Sequence, residues 1–146
     1  MSEFRSILAA VDGSDQSMRA IDAAISLAAK YESLLTALYV IHIPFGERLY
    51  PRVAWYEQFI KEIVKETSEW SADIQRRGRE KRVPIELKMS ETNESVFREI
   101  TRYARENGTE LIVVGSRGKS DLEKFFLGSV AAGVLAVAPC PVLVVR

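Results

Sequence analysis

The sequence predicts an α/β fold, a doubly wound five-stranded parallel sheet in the order 3-2-1-4-5 with helices on both faces. Three observations carry this. Five short apolar runs alternate with stretches whose apolar residues recur at helical spacing. Most runs are continuously apolar, as strands covered on both sides require. The β-α-β order then repeats along the chain, and right-handed crossovers turn that order into a parallel sheet.

The first strand spans Arg5 to Val11 and closes on Asp12-Gly13-Ser14. Ser14 or Asp15 caps a helix with Met18, Ile21, Ala24, Ile25 and Ala28 on one face. Leu34 to Ile43 reads as the second strand, stopped by Pro44, and a loop runs from Pro44 to Pro51. A long helix follows, with Trp55, Phe59, Ile63, Thr67, Trp70 and Ile74 on its stripe, and its basic end, Gln75 to Arg82, is expected to fray. Val83 to Met89 alternates as a third strand, placed near an edge because Pro84 has no N–H to donate. Thr92 or Asn93 caps the next helix, which carries Val96, Ile100, Tyr103 and Ala104 and stops at Asn107-Gly108. Glu110 to Val114 is the fourth strand, Ser129 to Val137 a short helix and Pro141 to Val145 the last strand.

At 146 residues the chain has the length of one domain, read as residues 1–146. Lys+Arg and Asp+Glu are both 20, which argues against a nucleic-acid surface, since that shows as a basic excess. Neutrality leaves a small anionic ligand open, because it needs only a local positive field. One cysteine, Cys140, excludes an intramolecular disulfide. No apolar run has the length of a membrane span, and the strand pattern beginning near Phe4 leaves no room for a signal peptide. A cytoplasmic location is expected.

In an open, Rossmann-like sheet, ligands bind outside the carboxyl ends of the strands where the winding reverses, here between the first and fourth. The loops there are Asp12-Gly13-Ser14 and Gly115-Ser116-Arg117-Gly118. Gly118-Lys119-Ser120 looks like the end of a P-loop, but Val113 stands where that motif needs glycine. The spacing G-x-x-G-x9-G-S, from Gly115 to Ser129, is a different phosphate-binding scheme. In it Gly115 and Gly118 let the backbone approach a ligand closely. The N–H groups of Ser129, Val130 and Ala131 open a helix, whose N-terminus carries roughly half a positive charge. Arg117, Lys119 and Lys124 add cations, and Asp12 lies opposite, placed for a ribose hydroxyl or a phosphate-bound Mg²⁺.

These residues resemble the universal stress protein family over essentially the whole chain. Ile7 to Ser14 is similar to the family's opening and Leu38 to His42 to its second strand. Leu111 to Gly118, Phe126 to Val130 and Ala138 to Val145 look like its signature, and the glycine spacing is that of its ATP-binding branch. The resemblance implies ATP (or AMP or ADP), with Mg²⁺, held in the crevice. Adenine is then read by the backbone at Val40 and the ribose sits near Ala10, Val11 and Asp12. The phosphates lie over Gly115, Ser116, Arg117, Gly118, Lys119, Ser120, Gly128, Ser129, Val130 and Ala131. It further implies a homodimer through Pro141 to Arg146 and a regulatory role with weak or no hydrolysis. Ala131 departs from the family, which often has a hydroxyl residue there, and Ala132-Gly133 is expected to weaken the helix.

Other readings of the same residues stay open. Gly115 and Gly118 also suit a plain turn, and Asp12 suits a turn or cap. His42 is the sole histidine and has no evident serine or cysteine partner for catalysis. A slow ATPase or nucleotidyl transferase, and a dimerisation module that binds no nucleotide, are the alternative functions.

Overall fold

A computed structural model of the chain describes residues 3–43, 54–117 and 127–146, with the side chains of 54 and 55 excluded. The elements are β1 (Ser6–Ala10), α1 (Asp15–Tyr31), β2 (Leu34–His42), α2 (Ala54–Glu80), β3 (Ile85–Thr92), α3 (Val96–Glu106), β4 (Leu111–Gly115), α4 (Ser129–Val137) and β5 (Val142–Val145). The five strands pair in parallel in the order β3-β2-β1-β4-β5. This is the order and class expected from the sequence. The predicted loop from Pro44 to Pro51 lies outside the described residues, as does Trp55 as a member of the α2 stripe.

Alternation along the central strands builds two cores. Ile7 and Ala9 of β1, Leu35 and Ala37 of β2, and Leu111 and Val113 of β4 face α1 and α2. Leu8, Leu38, Ile112 and Val114 face α3 and α4, where Ile100, Ala104, Ala131 and Val134 meet them. Ile112 and Val113 are fully enclosed, and burying a side chain of that size stabilises by about 1.5–3 kcal/mol. Both central strands therefore read as unbroken apolar runs, while the edge strands keep an exposed side. Met89 on β3 is 52% exposed and Leu143 on β5 37%.

Four local expectations are revised by the structure. β3 continues to Thr92, because β2 is nine residues long and pairs with it as far as His42 opposite Thr92. Thr92 is thus a strand residue whose Oγ1 accepts from the Glu94 N–H, and Ser95, not Thr92 or Asn93, stands at the N-cap position of α3, without a side-chain capping bond. The basic end of α2 does not fray: Asp73 receives Arg76 and Arg77, and Arg77 also reaches Asp22 on α1 at 2.8 Å. Gly133, read as a weakness in α4, is where that helix touches α3. A Cβ there would lie 2.2 Å from the Phe97 ring, a clash no small shift relieves. Gly108 does close α3 in the left-handed region, at φ +65°, as its residue type implies.

On α3 the Glu99 carboxylate is 5% exposed. Arg102 donates to it at 2.5 and 2.7 Å, and the Ser90 hydroxyl of β3 donates as well. The Arg102 guanidinium, helped by Ser90, holds the carboxyl below its ordinary range although burial pushes it up. The Ser90–Glu99 bond joins α3 to the edge strand, and Arg102, on the same helix, holds the carboxylate in place.

Candidate functional site

The first side of the crevice is the turn that follows β1. The Val11 N–H donates to Leu38 O at 2.9 Å, keeping the chain in the sheet one residue past β1. Asp12 then folds back, its Oδ1 accepting from the Ser14 N–H at 2.9 Å, and Gly13 takes φ +81°. That conformation suits glycine, and space matters too: a Cβ at Gly13 would lie 2.7 Å from the Trp70 indole. Ser14 Oγ caps α1 by accepting from the Ser17 N–H at 3.2 Å. Ser17 Oγ in turn donates to Ser14 O and accepts from the Asp12 N–H. These bonds tie the loop to the first turn of α1.

The second side is built differently. Ser116 N–H donates to Val145 O at 2.8 Å, and Ser116 O accepts from the Gly128 N–H at 2.6 Å. The start of α4 is thereby pinned to the end of β4. Gly128 is the cap residue, extended at φ −63°, ψ 158°, with no side-chain capping bond. The first helical bond runs from the Ala132 N–H to Gly128 O at 2.9 Å. The N–H groups of Ser129, Val130 and Ala131 precede it, the geometry that receives an anion. Ser129 is exposed, whereas Ala131 is 2% exposed in the core cluster with Ile112 and Val134. Ala131 therefore meets the crevice through its main-chain N–H, and its methyl belongs to the core.

Val40 lies on β2, the other neighbour of β1 in the sheet. In a parallel ladder, alternate residues direct both main-chain groups to the same neighbour. Leu38 directs its carbonyl to Val11 of the β1 segment, so Val40, two residues on, directs its own groups to the same side, where β1 has already turned away. Its side chain is 8% exposed. Ala10, the last residue of β1, is half-buried and packs against the α3–α4 core cluster.

Gly115 has a role at the back of the crevice. A Cβ there would lie 3.1 Å from the Gln16 main chain of α1, so its small size seats that helix. Gln16 is itself 6% exposed. In the amide orientation that satisfies both partners, its side-chain oxygen accepts from Arg19 Nη2 at 2.5 Å and Arg117 Nη2 at 2.6 Å. Ser116 Oγ lies 3.4 Å from the other end of that amide. Gln16 and Ser17 were not among the sequence-predicted residues, since one polar residue on an amphipathic helix leaves no periodic signal. Gly118, Lys119, Ser120 and Lys124 lie outside the described residues.

The remaining candidates separate from this crevice. Among the described residues, no three His, Cys, Asp or Glu side chains are grouped to hold a metal, so Mg²⁺ at Asp12 would depend on phosphates for its other ligands. His42 is exposed at the end of β2. Burial raises the Cys140 thiol above its ordinary value, which keeps it protonated and unreactive at neutral pH. No helix of the described residues is long and apolar enough to cross a membrane.

The family model described as the universal stress protein family matches residues 3–146. The universal stress protein YxiE of Bacillus subtilis is 37% identical over 147 residues, covering 98% of this chain and 99% of that protein. A crystal structure from the same family, from Burkholderia pseudomallei, superposes with TM-score 0.75 at 30% identity, covering 99% and 97% of the two chains. A third relative, solved as a universal stress protein in complex with cAMP, gives TM-score 0.68 at 25% identity and covers 99% and 98%.

Proposed function

This chain belongs to the universal stress protein family, and on that premise we propose that residues 1–146 form one nucleotide-binding regulatory domain. Its ligand is an adenine nucleotide, ATP or its mono- or diphosphate, held between the ends of β1 and β4. The observation that carries this is the start of α4: three leading N–H groups, a glycine cap with no side-chain acceptor, and a direct bond fixing that cap to β4. A relative crystallised with cAMP supports an adenine nucleotide as the ligand class.

In this reading the Val40 main chain contacts adenine, and Ala10, Val11 and Asp12 border the ribose. The phosphates lie over Gly115, Ser116, Arg117 and the N–H groups of Ser129, Val130 and Ala131, with Gly118, Lys119 and Ser120 completing the loop. Mg²⁺ accompanies the phosphates. Orientation of the nucleotide, and not its hydrolysis, is what such a cradle supplies, so phosphate release is expected to be stoichiometric at most. Strand β5 has no partner on its outer side among the described residues. Leu135, Val137 and Leu143 are exposed around it, which favours a homodimer through Pro141 to Arg146.

The test is native mass spectrometry of freshly purified protein, followed by thermal shift with millimolar ATP and Mg²⁺. A bound adenine nucleotide and a raised melting temperature are the expected results. Protein that carries none and does not shift contradicts the proposal.

A further inference from the structure

We propose that the space between α2 and strands β2 and β3 is a second ligand site, which takes an uncharged single-ring aromatic molecule carrying one hydrogen-bond acceptor. It lies on the α1–α2 face of the sheet, opposite the face that α4 covers, and is independent of the nucleotide reading above.

The observation is a cavity of about 170 Å³. Val11, Ala37 and Leu87 line it from the sheet and Trp70 from α2, with Tyr39 and Met89 beside them. An apolar cavity of about 150 Å³ is large enough to take up benzene, so the volume sets the ligand at one ring. The indole is held in place on its wall. Gly13 lies against it, where a Cβ would come within 2.7 Å, and Tyr39 meets it edge-on with ring centroids 5.2 Å apart. Met89, on the edge strand, is half exposed and stands at the mouth.

The polar groups of the wall decide what the ring carries. Thr67 Oγ1 donates to Val64 O at 3.1 Å and Ser71 Oγ to Ser68 O at 3.2 Å, so both hydroxyls are committed to their own helix. Lys88 pairs with Glu86 at 3.0 Å, which leaves no net charge for an ion to answer. Trp70 Nε1 is the exception, shut off from solvent and without a hydrogen-bond partner among the described residues. A buried indole N–H ordinarily has an acceptor. A hydroxyl or carbonyl oxygen on the ring supplies one, whereas a charged ligand would give up its hydration with nothing in return.

The experiment follows ¹⁵N–¹H spectra of the full chain titrated with phenol, alone and in saturating ATP plus Mg²⁺, with the Trp70 indole resonance assigned through Trp70→Phe. Phenol is expected to bind saturably and to shift the Trp70 indole N–H. Ala37→Leu and Ser71→Leu, which fill the cavity from the sheet and from the helix, should each weaken phenol at least about tenfold. Ser71 is half-buried, so its variant folds whether or not Ala37→Leu does. ATP is expected to leave the affinity for phenol unchanged. Phenol that does not saturate, that leaves the indole N–H unmoved, or that binds folded Ser71→Leu as tightly as wild type overturns the inference. Displacement of phenol by ATP overturns it too, by assigning the cavity to the nucleotide site. A chain that binds phenol in this way but no ATP keeps this inference and loses the nucleotide reading.

Discussion

Of the helices that begin at the carboxyl edge of this sheet, those after β1 and β4 make their first turns in opposite ways. At α1, Asp12, Ser14 and Ser17 exchange hydrogen bonds, and Ser14 Oγ accepts from the Ser17 N–H as a side-chain cap. At α4 the cap is Gly128, which contributes no side-chain acceptor, and three N–H groups precede the first helical bond. Both termini carry the same helix dipole. Of these two, α1 has a side-chain cap and α4 has none, so the proposed phosphate falls to α4 and a framework role to α1.

The largest expected effect comes from making α4 resemble α1. Gly128→Asp adds a self-capping carboxylate where the phosphate would sit, so ATP affinity, measured by calorimetry, should fall at least about tenfold. The ligand-free protein should melt slightly higher, since a capped terminus is more stable. Gly115→Val acts on the join between the two regions. Its Cβ would press on the Gln16 main chain at 3.1 Å, and chemical denaturation should report a loss of about 1–3 kcal/mol.

Ser14→Ala removes the cap of α1 and should cost about 1 kcal/mol in the same assay, while ATP affinity stays within about twofold. A loss of affinity as large as that of Gly128→Asp would erase the distinction between the helices. The smallest effect lies away from both termini. Arg102 holds the Glu99 carboxyl below its ordinary range, so its contribution is complete above the unfolded value of about 4.3 and is lost as pH falls through the folded-state value. Denaturation midpoints measured from neutral pH down to about pH 3 should drop in wild type through this acidic window, and Glu99→Gln should flatten part of that drop.

The regular parts of the molecule were legible because they follow from periodicity. The continuous runs around Leu8 and Val113 could only be strands covered on both sides, and Met18 to Ala28 only one buried helix face. Ser14 as a cap and Ser129 as a helix start were readable from residue type and position. Long-range packing was not. Thr92 looked like a cap because nothing in its own neighbourhood reveals that β2 still has residues left to pair. Gly13, Gly115 and Gly133 read as turn, ligand or weak-helix glycines, yet Trp70, Gln16 and Phe97 occupy the space their side chains would need. Gln16 itself was invisible, since its two arginine partners are brought to it by the fold and not by spacing.

The most direct test is to follow the backbone amides by ¹⁵N–¹H correlation spectra while ATP and Mg²⁺ are added to wild type. The account predicts large, saturable shifts at Ser129, Val130 and Ala131, with Ser14, Asp15 and Ser17 moving little. Shifts concentrated at the α1 terminus, with α4 silent, would contradict it.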